Sequence, residues 1–229
     1  MSYAALLPSD QPASRAGASV LISTLLVVWL GLVSWLGATE AFVAPAGTPP
    51  LRLLAVVLVP VMGFLIGYRV SAPMREFVLT ADLRFITATQ AWRFGGFAFL
   101  ALYTHGVLPG YFAWPAGLGD MAIGAAAPWM LVHLAREPGF VASRTFVTWN
   151  VLGILDLIVA VTVGAVVPLL FPNVLSAIPT AAMTRIPLVL IPAFFVPGYV
   201  ILHVIALAQS RRRVGAAPAM RSISALPSP

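Results

Sequence analysis

The sequence contains few charged residues. Only 9% of its 229 residues are charged, whereas 60% are hydrophobic, and the mean hydropathy is +0.98. Soluble domains carry about 25% charged residues. The 13 basic and 7 acidic side chains here would not cover the surface of a soluble protein. This composition excludes a soluble enzyme, a nucleic-acid-binding domain and a disordered protein, and it predicts a protein embedded in a lipid bilayer.

Cysteine and lysine are both absent. The lack of cysteine excludes disulfides, thiolate nucleophiles, iron–sulfur clusters and covalent c-type haem attachment. The lack of lysine excludes Schiff-base chemistry, including a retinal-type chromophore. The net charge of +6 therefore comes from arginine alone. In so apolar a chain, this charge indicates membrane topology, with no nucleic acid as a partner.

Six apolar stretches are long enough to cross a bilayer, because about 20 residues span roughly 30 Å of hydrocarbon. We expect an all-α integral membrane protein, with an N-terminal tail at 1–17, a six-helix membrane domain at 18–208 and a basic disordered tail at 209–229. The predicted spans are about 18–37, 51–68, 88–108, 115–135, 145–167 and 186–208.

The arginines are divided unequally between the two sides of the predicted bundle. Eleven of the 13 fall on the side that holds the N-terminus, and two, Arg52 and Arg185, fall on the other. By the positive-inside rule, both termini are expected in the cytoplasm. With five or seven spans, the arginines would be divided more evenly between the two sides. The unequal distribution therefore also favours six spans.

The connection between the second and third spans, residues 71–88, predicts a short amphipathic helix at the cytoplasmic interface. Ser71 followed by Pro73 is typical of a helix start. Apolar residues recur at helical spacing with charged residues between them. The alternative is an ordinary helix extension anchored by arginine. The apolar residues are Met74, Phe77, Val78, Ala81 and Phe85.

Among the ionisable residues inside the predicted spans, three stand out: Asp120, Asp156 and Arg93. Such a side chain costs roughly 2.5–3.5 kcal/mol at mid-span, so it usually faces the bundle interior or a cavity. Each aspartate shares a helix face with small residues, which allow close helix packing. Arg93 either snorkels to the interface, pairs with Asp156 or pairs with Asp120. These charges either set helix register or form an ion or proton path.

Other polar residues extend this pattern toward both sides of the membrane. Asn150 and Gln90 lie on the cytoplasmic side of the buried charges and are expected on the same path. Glu40 and His105 lie at the outer ends of their spans, near the depth of Asp120, and predict an outer-face polar cluster.

Two histidines, His133 and His203, are expected at similar depth on different spans. That is the minimum for a bis-histidine b-type haem. No group of His, Asp and Glu has the spacing of metal ligands. We therefore expect no metal and no cofactor, with haem b as the alternative.

Four prolines lie beyond the first turn of a predicted span. Each frees a backbone carbonyl and favours a kink. Broken helices of this kind line substrate sites in many transporters, although a kinked packing helix is the simpler alternative. The prolines are Pro60, Pro128, Pro192 and Pro197.

The third and fourth spans carry a series of motif residues. They are Gln90-Ala-Trp-Arg93, Gly96, Phe99-Leu100, Leu108-Pro109, Phe112-Ala113, Pro115-Ala116-Gly117, Gly119-Asp120 and Gly124. This pattern, confined to residues 90–124, resembles one in uncharacterised bacterial multi-pass inner-membrane proteins. The resemblance implies a bacterial inner-membrane location and no particular activity.

These observations favour a small-solute or ion/proton transporter or channel that uses Asp156, Asp120 and Arg93. One alternative is a membrane-embedded enzyme that acts on lipid or isoprenoid at the outer face, with Glu40, His105 and Asp120 as the acid and base groups. The other is an accessory subunit or a haem-binding membrane protein. The expected partners are the bilayer and either a second copy of the chain or a larger membrane complex.

Overall fold

The computed structural model of the protein describes residues 11–45, 48–170 and 180–224. Every regular element in these ranges is helical, which confirms the expected all-α fold. The helices are α1 (Gln11–Ala38), α2 (Leu51–Val70), α3 (Ala72–Thr80), α4 (Leu83–Thr89), α5 (Phe97–Thr104), α6 (Gly110–Arg136), α7 (Arg144–Ala165), α8 (Val167–Leu170) and α9 (Val196–Ser224), with 3-10 segments at Gln90–Gly96, Phe140–Ala142 and Thr180–Thr184 and a π segment at Ile191–Phe195.

Five stretches of helix in the described ranges are long and apolar enough to cross a membrane. They coincide in position with five of the six predicted spans. Their outward faces are apolar: Val27 is 69% exposed and Trp35 is 63% exposed. Soluble monomers rarely present so much apolar surface. The stretches are Val20–Ala38, Leu51–Val70, Gly110–Arg136, Arg144–Leu170 and Ile191–Val214.

The remaining predicted span, 88–108, is built from three short pieces. α4, the 3-10 segment and α5 follow one another without a break from Leu83 to Thr104. The glycine pair Gly95-Gly96 weakens the preference for a regular α-helix there. The helix ends before residue 108 because Gly106 adopts a positive φ of 69° and closes a Schellman turn.

The predicted amphipathic helix is divided into two. Ser71 caps α3, its Oγ accepting from the Met74 backbone N–H at 3.3 Å, which confirms the predicted start. Asp82 caps α4 in the same way, accepting from the Arg84 N–H at 2.9 Å. This second cap restarts the helix in a new direction. Phe85, expected on the apolar face, is therefore 70% exposed.

Two prolines free carbonyls that distant side chains then bind. Pro197 has no N–H to donate to the Ala193 carbonyl, and the Trp29 indole N–H of α1 donates to that carbonyl at 3.2 Å. Pro168 stands four residues after Gly164, whose carbonyl accepts from the Thr180 hydroxyl at 2.8 Å. Buried carbonyls need such partners, so these bonds tie separate segments of the chain together.

The last helix is longer than the sequence predicts. The sixth span was expected to end at 208 and to be followed by a disordered tail, but α9 continues to Ser224. Its early part is packed, since Ser210 is 1% exposed and the Gln209 amide donates to the Val78 carbonyl at 2.9 Å. Extending an existing helix needs no new nucleus, which is why the helix outlasts its apolar stretch.

Within the bundle, α6 occupies a central position. It contacts α4, the 3-10 segment at Gln90–Gly96 and α5 along one side, and α7 along another. α9 in turn packs on α7 and α2. This arrangement packs the 3-10 segment against α6, the helix that carries Asp120, and packs α6 in turn against α7, which carries Asp156.

Candidate functional site

The 3-10 backbone directs Arg93 into the bundle. A 3-10 helix has three residues per turn, so side chains three positions apart lie on one line. Gln90, Arg93 and Gly96 share that line and are all buried, Arg93 being only 2% exposed. Trp92, on another face, is 80% exposed. The snorkelling alternative for Arg93 is therefore wrong.

Arg93 makes hydrogen bonds with four groups on three other helices. Its Nε donates to Asp120 Oδ1 of α6 at 2.7 Å, and its second terminal nitrogen donates to Asp156 Oδ2 of α7. Its first terminal nitrogen donates to the Gly153 carbonyl at 3.1 Å and lies 3.0 Å from His203 Nε2 of α9. The sequence offered the two aspartates as alternative partners, and the structure brings Arg93 to both.

The two carboxylates share one arginine, which leaves the cluster with an excess of acid. The side chains of Asp120 and Asp156 are 16% and 13% exposed, and that of Arg93 is 0% exposed. With both acids ionised, the three groups carry a net charge of −1. One bound proton or one other monovalent cation would neutralise them. Buried charges are costly unless they are paired, so the cluster favours taking up a single positive charge.

Two glycines permit this close approach of helices. A Cβ at Gly119 would overlap Asp156 Oδ1, and a Cβ at Gly153 would overlap the His203 ring. Small residues at these two positions therefore let α7 and α9 bring their polar side chains to Arg93.

His203 and Asn150 continue the hydrogen-bonded chain. A guanidinium only donates, so His203 Nε2 accepts from Arg93 and Nδ1 carries the proton. Nδ1 then donates to Asn150 Oδ1 at 2.9 Å, and Asn150 Nδ2 donates to the Phe146 carbonyl at 2.8 Å. Both ring nitrogens are engaged, which leaves no lone pair for iron. In this arrangement His203 serves as the hydrogen-bond partner of Arg93 and Asn150.

Two further polar side chains, on the N-terminal side of Arg93 in the chain, are buried. Gln90 and Thr87 are each 1% exposed, and neither the Gln90 amide nor the Thr87 hydroxyl has a hydrogen-bond partner among the described residues. Buried polar groups of this kind are normally bonded. Together with Arg93, they form a series of polar side chains that runs toward the α3–α4 connection.

A mainly apolar cavity borders the cluster on the side away from the α3–α4 connection. It has a volume of about 350 Å³ and lies between α2, α6, α7 and the π segment. Its walls include Leu53, Leu157 and Ile191, and Asp120 is the one charged side chain among the described residues that line it. The cavity therefore contacts the charged cluster through a single carboxylate.

The predicted outer-face cluster does not form. Glu40 pairs with Arg185 at 3.2 Å, while His105 lies 2.8 Å from the carbonyl of Ala101 in its own helix. In the described part of the chain, no hydrogen bond joins either residue to Asp120. Distances between side chains on different helices cannot be read from the sequence. Without a bond from either residue to Asp120, the acid–base arrangement expected for the enzyme alternative is absent from the described residues.

His133 also has a local partner. Its Nδ1 lies 2.7 Å from Glu137 Oε1, one helical turn away, and its ring stacks on Phe140 at 5.1 Å. It lies outside the hydrogen-bonded cluster around Arg93. No group of three metal-ligating side chains occurs among the described residues.

The role of His203 as a hydrogen-bond partner of Arg93 was not predicted. Gly153 on α7 was a signal, since a glycine one turn from a buried aspartate marks a close contact. Which helix makes that contact depends on the fold. Tyr199, also on α9, places its ring 5.8 Å from the Arg93 guanidinium carbon and was likewise not predicted.

The fold and site define an all-helical protein with several helices of membrane-crossing length, in which a buried arginine binds two partly buried aspartates, one of them lining an apolar cavity. A family model described as Domain of unknown function (DUF8737) matches residues 50–211, over two thirds of the chain. The chain belongs to this family. The match contains the whole cluster. No curated protein and no solved structure matches the chain.

Proposed function

We propose that the protein is a membrane transporter or channel for a small solute or for protons, with Asp120, Arg93 and Asp156 as its central site. The observation that carries this proposal is the apolar cavity whose one charged lining side chain among the described residues, Asp120, is hydrogen-bonded to Arg93. A merely structural ion pair needs no cavity. An ionisable group that is buried in a bundle and reached by a cavity is typical of a transport path.

Proton movement is supported by the composition of the cluster. Two carboxylates compete for one guanidinium, and the cluster changes between a net charge of −1 and 0 when one proton binds. His203 and Asn150 continue the chain of hydrogen bonds beyond Arg93. Unpartnered Gln90 supplies a further polar group in that direction. Polar groups thus extend from the cavity through the middle of the bundle.

We further propose six spans, with α4, the 3-10 segment and α5 forming the third, in a bacterial inner membrane with both termini in the cytoplasm. The unequal distribution of arginines supports this topology. The cavity would then open to the outer face. Because the chain has no cysteine, single variants Thr48→Cys and Glu76→Cys can be labelled with an impermeant maleimide. Only the first should react from outside intact cells, and the reverse result would contradict the topology.

The transport proposal is tested by proton flux into proteoliposomes under an imposed pH gradient, read with an internal pH dye. Wild-type protein should acidify the lumen faster than protein-free liposomes. Asp120→Asn and Asp156→Asn should each abolish the difference, because both remove the acid and keep the shape. Glu76→Gln, on the exposed surface of α3, is the matched control. Flux that is unchanged in both aspartate variants would contradict their roles.

We also propose that the protein associates with a second copy or with a larger membrane complex, since a bundle of this size is small for a transporter. Chemical cross-linking in native membranes, followed by mass determination, would detect either assembly.

A further inference from the structure

We infer that the cavity binds a small organic monocation: a molecule with an apolar body and one protonated amine, with the amine at Asp120. This inference rests on the proposed function and specifies the solute. It follows from the walls of the cavity, the charge at its end and the position of Arg93.

The walls match an apolar body. Aliphatic and aromatic side chains from four segments face the space, among them Val57, Phe99, Leu157 and Ile191. A volume of about 350 Å³ lies at the small end of the range for small-molecule sites. It suits a compact molecule, such as one ring with a short chain, and is too small for a membrane lipid.

The end of the cavity selects for positive charge. Asp120 Oδ1 accepts from Arg93 Nε, and Asp120 also lines the cavity, so its carboxylate is the charged acceptor that a donor in the cavity meets. The cluster behind it holds two acids and one base, so its net charge of −1 favours a monocation. An ammonium group donates to a carboxylate in a charge-assisted hydrogen bond, one of the stronger kinds in proteins.

An anionic ligand fits poorly, although an arginine is close by. The Arg93 side chain is 0% exposed and lies behind Asp120, with its donors directed at Asp120, Asp156, Gly153 and His203. It is absent from the cavity lining. A carboxylate or phosphate entering the cavity would therefore meet the Asp120 carboxylate first and be repelled.

The other polar groups in the lining do not distinguish a neutral ligand from an amine. The Thr180 hydroxyl donates its proton to the Gly164 carbonyl, and Tyr111 lies beside it in the lining. These hydroxyls serve an alcohol as well as an amine. Only Asp120 separates the two, so the preference for an amine should depend on that residue.

The test compares three ligands with the same apolar body: 4-phenylbutylamine, 4-phenylbutanol and 4-phenylbutyrate. Binding to the full-length protein in detergent at pH 7 is measured by isothermal titration calorimetry. The amine should bind about tenfold or more tightly than the alcohol, the difference expected for a hydrogen bond to a charged group, and the carboxylate should bind most weakly. An alcohol or carboxylate that binds as tightly as the amine would overturn the inference.

Two variants locate the binding. Asp120→Asn should reduce the amine's advantage over the alcohol to about twofold or less, given that the charged bond is lost. Ala160→Phe, which fills the cavity, should weaken both ligands, whereas Ala125→Phe on the exposed face of α6 should change neither. Retention of amine binding in Ala160→Phe would overturn the site. If Asp120→Asn does not fold, the three-ligand comparison on the wild-type protein still tests whether the protein prefers the amine.

The ligand inference and the transport proposal can fail separately. Amine binding with neither proton flux nor uptake of the amine into proteoliposomes supports the ligand and contradicts transport. Proton flux without amine binding contradicts the ligand inference and leaves the proton path standing.

Discussion

Replacing Arg93 with methionine should be among the most destabilising single changes in the described part of the chain. The side chain is 0% exposed and donates to two carboxylates that are themselves 16% and 13% exposed. Methionine keeps much of the volume but leaves both acids buried without a counter-charge. Breaking a buried ion pair by removing one partner costs about 3–5 kcal/mol. We expect a loss in this range in the free energy of unfolding.

The measurement is reversible unfolding in mixed micelles, followed by circular dichroism, for Arg93→Met and for the triple variant that adds Asp120→Asn and Asp156→Asn. The triple variant carries no buried charge at these positions. Removing both sides of an interaction is far less costly than removing one, so we expect it to recover to within about 2 kcal/mol of wild type. Arg75→Met, on the exposed surface of α3, is the control and should change stability by less than about 0.5 kcal/mol.

Two results would refute this reasoning. If Arg93→Met were as stable as the wild type, the cluster would contribute nothing to the fold. If the triple variant were as unstable as the single one, the cost would come from lost packing around the arginine stem and not from unpaired carboxylates.

Two further predictions concern packing and hydrogen bonding in the same unfolding assay. Gly119→Ala should cost about 1–3 kcal/mol by overpacking, because its Cβ would overlap Asp156 Oδ1; Gly63→Ala, with no atom within 4 Å of its Cβ, should cost nothing, and equal effects would contradict the close approach. Trp29→Phe should cost about 1–3 kcal/mol because it leaves the carbonyl at the proline break unsatisfied, whereas Trp35→Phe, whose indole is 63% exposed, should cost less than half as much; the opposite order would contradict the indole hydrogen bond.

Local features were predictable because they depend on short stretches of sequence. The Ser71 cap needs only the geometry of one helical turn, and the structure confirms it. Five of the expected apolar stretches are helices of membrane-crossing length, since continuous hydrophobicity over about 20 residues is itself the physical requirement.

Features that depend on contacts between helices were predicted only in part. The small residues on their helix faces predicted that Asp120 and Asp156 lie at least partly buried in the bundle. They did not predict that both aspartates bind the same arginine. Pairing was inferred from depth along each helix, and depth does not specify which helices are neighbours. For the same reason Glu40 and His105 were grouped with Asp120, although each has another partner.

The sequence by itself determined the class of this protein. Scarce charge, abundant apolar residues and the spacing of arginines predict helices suited to a membrane, because the cost of exposing polar groups to hydrocarbon is the same in any fold. Only the tertiary structure decided the site. The 3-10 segment turns Arg93 inward, close glycine contacts bring α7 and α9 to it, and their packing leaves a cavity that ends at Asp120. These features depend on how the helices pack against one another, and that packing cannot be read from any single segment of the sequence.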